Sequence, residues 1–357
     1  MKNKIYYIFI TLFLVVSSAP FWGMLFYANQ DTHEKRVLAG IKDVRGISSL
    51  NQFIVDNHAF RDKLSDICMS VYVNFFKESP IPEQVVFGKD GWQYLGNSYR
   101  NIYNASLGII PITQSTIEYS CNNINEIKQF CDSLGIDFYF AIAPNKASIY
   151  PEHLALTPNK LPRLKSGVMR DLKSNYGIET IDLFQLLENE KKNTTLYYKY
   201  DSHWNDYGAL LATQKIVDHI SEKHNIKCIQ EDDYLIEKQI RNTEKDREFD
   251  LSIMLNMQVS DTYFQVTPKE EVIIQDTIVK KIRETVTQTY AVNKSKPNNT
   301  RAFIIRDSFF IAMYPFFISS VNEASLFTYF NKENIIEEIK RVGKPDFLIL
   351  IPAERNI

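Results

Sequence analysis

The sequence predicts an α/β protein in which helices cover both faces of a mostly parallel sheet. The main evidence is an alternation, from about Ile117 onward, of amphipathic runs with short continuous apolar runs. Continuous apolar runs are typical of strands buried on both faces, and their alternation with helices is typical of parallel sheets. Five runs have this character: IDFYFAIAPNK, IETIDL, RAFIIRDS, EASLFTYF and KPDFLILIP. With 357 residues, 45% of them hydrophobic, the chain can bury the core that this fold requires.

Helices are predicted between these strands, where apolar residues recur every three or four positions. The run INEIKQFCDSLG should end at Gly135, and PRLKSGVMRDLKSNYG should precede the second strand. Asn205 can cap a helix that continues to about His224. Two further helices are expected near residues 309–320 and 331–342.

Two segments depart from this alternation. VVFGKDGWQYLG predicts a hairpin of two short strands, because the Asp-Gly at its centre is a favoured turn. Residues 231–300 begin with a crowd of charges and continue with two or three β-like stretches. We interpret this region as a β-rich insertion that forms a lid or a substrate-facing flap.

The N-terminus predicts a membrane anchor. Residues Ile5–Tyr27 carry no charge, and a helix needs about 20 apolar residues to cross a bilayer. Lys2 and Lys4 precede the run, which favours a cytoplasmic tail and an exported remainder. A cleaved signal peptide is the alternative, because small residues stand at 17–19, although the apolar run continues beyond them. The expected domains are a membrane anchor or signal over 1–30, a linker over 31–46 and one large domain over 47–357.

Charge and cysteine content limit the possible partners. The formal net charge is −2 and no long basic block is present, which argues against a nucleic-acid partner. The four cysteines do not have a metal-ligand spacing, and an exported location would allow disulfides among them as readily as free buried thiols. They are Cys68, Cys121, Cys131 and Cys228.

A candidate nucleophile stands at the end of one predicted strand. Ligands of an open parallel sheet bind beyond the carboxyl ends of its strands. The strand RAFII ends at Arg306-Asp307 and presents Ser308 at the start of a helix, where backbone N–H groups can stabilise an oxyanion. A serine that follows a strand in this way is also often a simple helix cap.

The stretch DSHW supplies the partners that a nucleophilic serine needs. Serine requires an adjacent base, and that base requires a group that holds its tautomer. Asp201 and His203 project to the same side of an extended segment, so the carboxylate can orient the imidazole while Ser202 points away. The pair could instead form a plain turn, or ligate a metal, although no further ligands are evident. Trp204 could stack on a sugar ring or pack beneath the site.

A family resemblance combines these features. The blocks KYDSHWNDYGALLA, IIRDSFF, APNKASIYPE, VVFGKDGWQYLG, VDNHAFRDKL and KPDFLILIPAER resemble the alginate O-acetyltransferase family, SGNH-hydrolase-like periplasmic enzymes that acetylate exported polysaccharides. The resemblance extends from about Asn51 to Arg355. It implies a triad of Asp201, His203 and Ser308, in a chain order that differs from ordinary SGNH hydrolases, where the serine comes first.

The resemblance also implies a reaction and its partners. Ser308 would carry an acetyl group from a donor to a sugar hydroxyl, with His203 as the base and no soluble cofactor. The Ser308 N–H is the first candidate oxyanion donor, and Asn145 or Lys146 of APNK is the second. Arg306 replaces the glycine of the usual Gly-Asp-Ser block, so the oxyanion hole of ordinary SGNH enzymes cannot be assigned to this sequence position by position.

The implied acetyl source is a polytopic membrane-bound O-acyltransferase, and the implied location is the exported face of the cell membrane. A carbohydrate acetylesterase would use the same three residues with water as the acceptor. A non-catalytic glycan-binding scaffold is the third possibility.

Overall fold

The computed structural model describes residues 2–27, 41–57, 61–159, 163–242, 249–282, 285–295 and 298–357. Contacts divide the chain into two compact units, one of Met1–Pro80 with Met254–Met257 and one of Ile81–Ile253 with Gln258–Ile357.

The first unit is helical. It contains α1 (Lys2–Tyr27), α2 (Ile47–Asn57) and α3 (Arg61–Val71), which continues as a π-helical turn over Tyr72–Phe76. Among the residues that the structure describes in full, no helix is both long and apolar enough to cross a membrane. Most of the predicted linker, residues 31–40, lies outside the described residues.

The second unit is built on a seven-stranded sheet with the order β4-β3-β11-β9-β10-β8-β7. Its first five strands are mutually parallel and correspond to the five apolar runs of the sequence. They are β3 (Asp137–Ala141), β4 (Thr180–Ile181), β9 (Arg301–Arg306), β10 (Glu323–Phe327) and β11 (Phe347–Ile351). Every residue of β11 is buried, as expected for a strand covered on both faces.

The region predicted as an insertion divides between two structures. β5 (Tyr234–Asn242) and β6 (Ser260–Pro268) pair as a separate antiparallel ribbon. β7 (Ile274–Ile282) and β8 (Thr285–Asn293) form a hairpin that pairs with β10 and extends the main sheet in antiparallel order. Part of the region is therefore an integral edge of the sheet. The predicted VVFGKDGWQYLG hairpin is present as β1 (Val85–Phe87) and β2 (Gln93–Leu95).

Helices cover this sheet, and among them Gln114–Leu134 packs against Leu164–Tyr176, while Asp206–Ser221 packs against both Leu183–Glu190 and Phe310–Ser320. The remaining bounds are α4 (Ile102–Leu107), α5 (Gln114–Leu134), α6 (Lys146–Ile149), α7 (Leu164–Tyr176), α8 (Leu183–Glu190), α9 (Asp206–Ser221), α10 (Asp250–Met254), α11 (Phe310–Ser320) and α12 (Lys332–Val342).

Local signals in the sequence fix the ends of two of these helices. Gly135 ends α5 in the left-handed conformation that glycine adopts readily. Asn205 caps α9 by accepting a hydrogen bond from the Gly208 N–H at 3.0 Å, but the helix stops at Ser221, short of His224. A Cβ at Gly208 would lie 2.5 Å from the Leu196 carbonyl oxygen, so only glycine lets α9 begin this close to the preceding loop.

All four cysteines are free thiols. Cys121 and Cys131 are buried, and burial raises the pKa of the first to about 11 and of the second to about 12. These two thiols therefore behave as small apolar side chains.

Candidate active site

Ser308 lies in the turn between β9 and α11, at the carboxyl edge of the parallel strands. Its neighbour Asp307 fixes this turn. One Asp307 oxygen accepts the Phe309 N–H at 2.9 Å, and the other accepts the Ala353 N–H and, at 3.4 Å, the Asn356 amide. Because Ala353 follows the adjacent strand β11, the serine turn is tied to the end of its neighbouring strand.

Asp201 and His203 lie in the loop between α8 and α9. A bridge between Tyr197 and Trp204 closes this loop, and the Asp201 side chain is buried inside it. Asp201 Oδ1 accepts the His203 backbone N–H at 2.8 Å and lies 2.7 Å from ring atom Nδ1. The other ring nitrogen, Nε2, lies 2.8 Å from Ser308 Oγ. The structure therefore brings the three predicted residues into one continuous chain of hydrogen bonds.

Charges around the imidazole favour its protonated form. Burial alone would lower the pKa of His203, but the hydrogen bond and the charge of Asp201, with a smaller effect of Asp250, raise that pKa overall. Burial opposes ionisation of Asp201, yet its bonds to His203 lower its pKa below the ordinary value. A neutral His203 can therefore accept a proton from Ser308 beside a carboxylate that stabilises the resulting imidazolium.

Asn145 and Lys146 follow β3 on the same edge of the sheet. The Asn145 backbone N–H donates to Glu354 at 3.0 Å, and its side-chain oxygen accepts from Arg355 at 3.3 Å. Lys146 Nζ donates to the carbonyls of Tyr198 and Lys199 at 3.1 Å and of Asp201 at 2.6 Å.

The sequence offered Lys146 as an oxyanion or substrate contact. The residue is only 3% exposed, and its ammonium holds the Asp201 loop through these three carbonyls. Burial lowers its pKa to about 8, against the opposing charges of Asp201, Asp250 and Asp261.

Trp204 is fully buried, so its ring cannot present a face to a sugar in this conformation. The indole N–H donates to the Phe309 carbonyl at 3.1 Å, and the two rings meet edge to face at 5.0 Å. Of the two interpretations of Trp204, the structure favours packing beneath the site. The indole joins the Asp-His loop to the serine turn.

Arg306, at the end of β9, donates to the Asp307 carbonyl at 3.4 Å, and burial lowers the pKa of its guanidinium.

Sequence reasoning missed two charged residues of this site. Asp250, the first residue of α10, accepts the Ser202 N–H at 2.7 Å and the Ser202 hydroxyl at 2.5 Å. Ser202 was predicted to point away from the site, and that prediction is wrong. Its Oγ also lies 3.3 Å from His203 Nδ1. The guanidinium of Arg355 lies 5.4 Å from the Phe309 ring centre. Both residues stand in recognisable stretches of the sequence, Asp250 in REFDLSIML and Arg355 in the closing block KPDFLILIPAER.

Asp201, His203 and Asp250 are also a group that could ligate a metal, since their ligand atoms lie within 4.8 Å of one another. Those atoms already have partners, however. Asp201 Oδ1 faces two N–H groups of His203, and both Asp250 oxygens accept from Ser202. The arrangement fits a hydrogen-bond network better than an ion site.

A cavity of about 340 Å³ is lined in part by Asn145 and Arg355. Arg100, Arg163 and Lys165 contribute to its wall, and Lys165 is paired with Glu354 at 3.7 Å. Ligand pockets commonly enclose about 300 to 1,000 Å³, so this cavity is large enough for a small ligand or part of a polymer.

Comparison with known proteins identifies the family. Residues 85–277, more than half of the chain, match the family model described as the SGNH hydrolase-like domain of acetyltransferase AlgX. The chain belongs to this family. The matched segment includes Asp201, His203 and Asp250 and ends before Ser308.

Individual relatives are more distant. The chain is 26% identical over 143 residues to the probable alginate O-acetylase AlgJ of Pseudomonas aeruginosa, a match that covers 39% of the chain and 34% of AlgJ. It is 27% identical over 145 residues to AlgJ of Pseudomonas syringae pv. tomato, again with 39% and 34% covered. The chain thus spans about a third of the length of the curated relatives that it matches.

A solved structure supports the fold. Bacillus cereus PatB1, determined with a sulfonyl adduct, aligns with a TM-score of 0.55 and 19% sequence identity. The alignment covers 76% of this chain and 96% of PatB1. This likeness supports the SGNH-hydrolase-like α/β fold.

Proposed function

We propose that this protein is an O-acetyltransferase that acetylates hydroxyls of an exported polysaccharide through an acetyl-serine intermediate. The observation that carries the proposal is the hydrogen-bond chain from Asp201 through His203 to Ser308, with contacts of 2.7 and 2.8 Å. Membership of the AlgX family supports acetyl transfer, and the similarity to AlgJ, a probable alginate O-acetylase, supports a polysaccharide acceptor.

In the first half-reaction, His203 Nε2 takes the Ser308 proton as Oγ attacks the carbonyl carbon of an acetyl ester. The oxyanion of the tetrahedral intermediate accepts a hydrogen bond from the Ser308 N–H. His203 then returns the proton to the departing oxygen, which leaves an acetyl-serine and the donor alcohol. Asp201 keeps Nδ1 protonated throughout, so that Nε2 is the atom that exchanges the proton.

The second half-reaction reverses these roles. A sugar hydroxyl enters from the cavity beside Asn145 and Arg355, and His203 removes its proton as it attacks the acetyl carbon. The proton then returns to Ser308 Oγ as the product ester leaves. Both halves use the same side chains, and no cofactor is needed.

The proposal is tested by giving the purified chain an artificial acetyl ester with and without an oligosaccharide acceptor. We expect acetyl transfer to the sugar to exceed release of acetate, as quantified by mass spectrometry and acetate assay. Acetate release alone would identify an acetylesterase, because the same residues can activate water. No turnover by folded protein, together with glycan binding, would indicate a scaffold.

We also propose that α1 is an uncleaved membrane anchor and that the rest of the chain is exported. The uncharged run Ile5–Tyr27 after Lys2 and Lys4 supports this. The family resemblance supports a polytopic O-acyltransferase as the supplier of acetyl groups. We expect the intact chain in the membrane fraction, sensitive to protease added outside the membrane, and a chain lacking residues 2–27 outside that fraction. An N-terminus that begins after residue 19 would instead identify a cleaved signal peptide.

A further inference from the structure

Asp250 reaches the triad from a distant part of the sequence. It is the first residue of α10, between the two strands of the β5–β6 ribbon. Its backbone N–H donates to Asp201 Oδ2 at 2.9 Å, while the other Asp201 oxygen faces His203. Both oxygens of the triad acid are therefore held, which prevents the carboxylate from rotating away from the imidazole.

The Asp250 side chain holds the residue between the acid and the base. One oxygen accepts the Ser202 N–H at 2.7 Å and the other accepts the Ser202 hydroxyl at 2.5 Å. The second oxygen also lies 3.7 Å from His203 Nδ1. Asp250 thus contacts all three consecutive residues of the Asp-Ser-His segment.

We propose that Asp250 is a positioning residue of this site, which fixes the Asp201–His203 segment and places a second carboxylate beside the imidazole. The inference rests on the proposed function, since its kinetic effect is read from ester turnover. Asp250 acts through Ser202 and Asp201 and touches neither reacting atom. Its loss should therefore lower kcat far more than it changes KM.

The charges near His203 and Asp250 determine the expected effect of pH. His203 faces Asp201 and Asp250, and Arg355 opposes them. Asp250 faces Asp201, with Lys146, Arg355 and Tyr99 also within electrostatic range. Burial raises the pKa of Asp250, and the charge of Asp201 raises it further, while the bonds from Ser202 favour its ionised form.

The sign of the pH shift follows from these charges. The base must be neutral to act, so the rate rises as pH passes upward through the pKa of His203. That pKa is raised, so the acid limb of the wild-type profile should lie above the value of about 6.5 for an ordinary histidine. Removal of the Asp250 charge leaves Arg355 less opposed, and the limb should move to lower pH.

The decisive variant is Asp250→Asn, compared with Asp232→Asn as the same change at an exposed position. We expect Asp250→Asn to lower kcat by about 10²-fold, the effect of a small misplacement of reacting groups, with KM nearly unchanged. Ser202→Ala, which removes only the hydroxyl contact, should lower kcat less and still fold. Asp232→Asn should leave the rate and the pH profile unchanged.

A second measurement does not depend on turnover. The His203 ring can be titrated by NMR, with its signal assigned by His203→Gln, and its pKa should be lower in Asp250→Asn than in wild type. Folded Asp250→Asn with unchanged kcat and unchanged His203 pKa would overturn the proposal. If wild type turned over no ester while the His203 pKa still fell in Asp250→Asn, the proposed function would fail and the role of Asp250 would stand.

Discussion

Ser308→Ala should lower kcat/KM for an acetyl ester by about 10³-fold or more, by analogy with the removal of other triad nucleophiles. The alanine variant retains the turn, because the Asp307 side chain and the backbone of Phe309 make its hydrogen bonds. It loses only the oxygen that His203 contacts at 2.8 Å. The measurement is steady-state kinetics, together with mass spectrometry of the protein after exposure to the ester.

The mass measurement separates the nucleophile from a binding role. Wild type should gain one acetyl group on the peptide that contains Ser308, and Ser308→Ala should gain none there. Ser174→Ala, at an exposed serine of α7, is the matched control and should behave as wild type. Retention of full activity by Ser308→Ala, or acetylation at another serine, would contradict the proposed mechanism.

Asp201→Asn should lower kcat by about 10⁴-fold, as the equivalent change does in other triads. An asparagine can turn its NH₂ group toward Nδ1, which then becomes an acceptor and moves the ring proton to Nε2. A protonated Nε2 cannot accept the Ser308 proton. In the wild type, the Asp201 carboxylate also accepts the backbone N–H groups of His203 and Asp250. The asparagine side chain retains one oxygen that can still accept from the loop, so the variant should fold.

The tautomer itself can be observed. Nitrogen NMR of the His203 ring should report a proton on Nδ1 in wild type and on Nε2 in Asp201→Asn. Asp132→Asn, at an exposed acid paired with Lys128, is the control for the substitution and should not change the rate. A loss of less than about tenfold in a folded Asp201→Asn variant would show that another group orients the imidazole.

The parallel part of the fold could be predicted because strands that are buried on both faces consist mostly of apolar residues. β9, β10 and β11 are short strands of mostly apolar, buried residues, and each was predicted at its observed place. The antiparallel edge was harder to place, because β7 and β8 each contain more polar than apolar residues. The pairing of β8 with β10 depends on a neighbouring strand that local sequence patterns do not specify.

The part of the candidate site that could be predicted is the part whose side chains are placed by residue spacing and by the ends of strands. Asp201 and His203 lie two residues apart before a helix, and Ser308 follows a strand, so their position at one edge of the sheet could be predicted. The segment bends at residues 201–203 instead of running extended as predicted, so Ser202 stays in the site and contacts Asp250 and His203. Asp250 and Lys146 could not be placed this way. Asp250 approaches through the β5–β6 ribbon, and Lys146 makes its contacts with backbone carbonyls, which carry no sequence signature.

In the proposed site, the burial of Lys146 should keep its amine from being acetylated. An amine whose pKa is about 8 has an appreciable neutral fraction near neutral pH, and a neutral amine readily attacks activated acetyl esters. In the proposed site it would compete with sugar hydroxyls for the acetyl group and form a stable amide. Its three carbonyl partners and its 3% exposure keep the nitrogen out of reach, so that the acetyl group remains available for transfer.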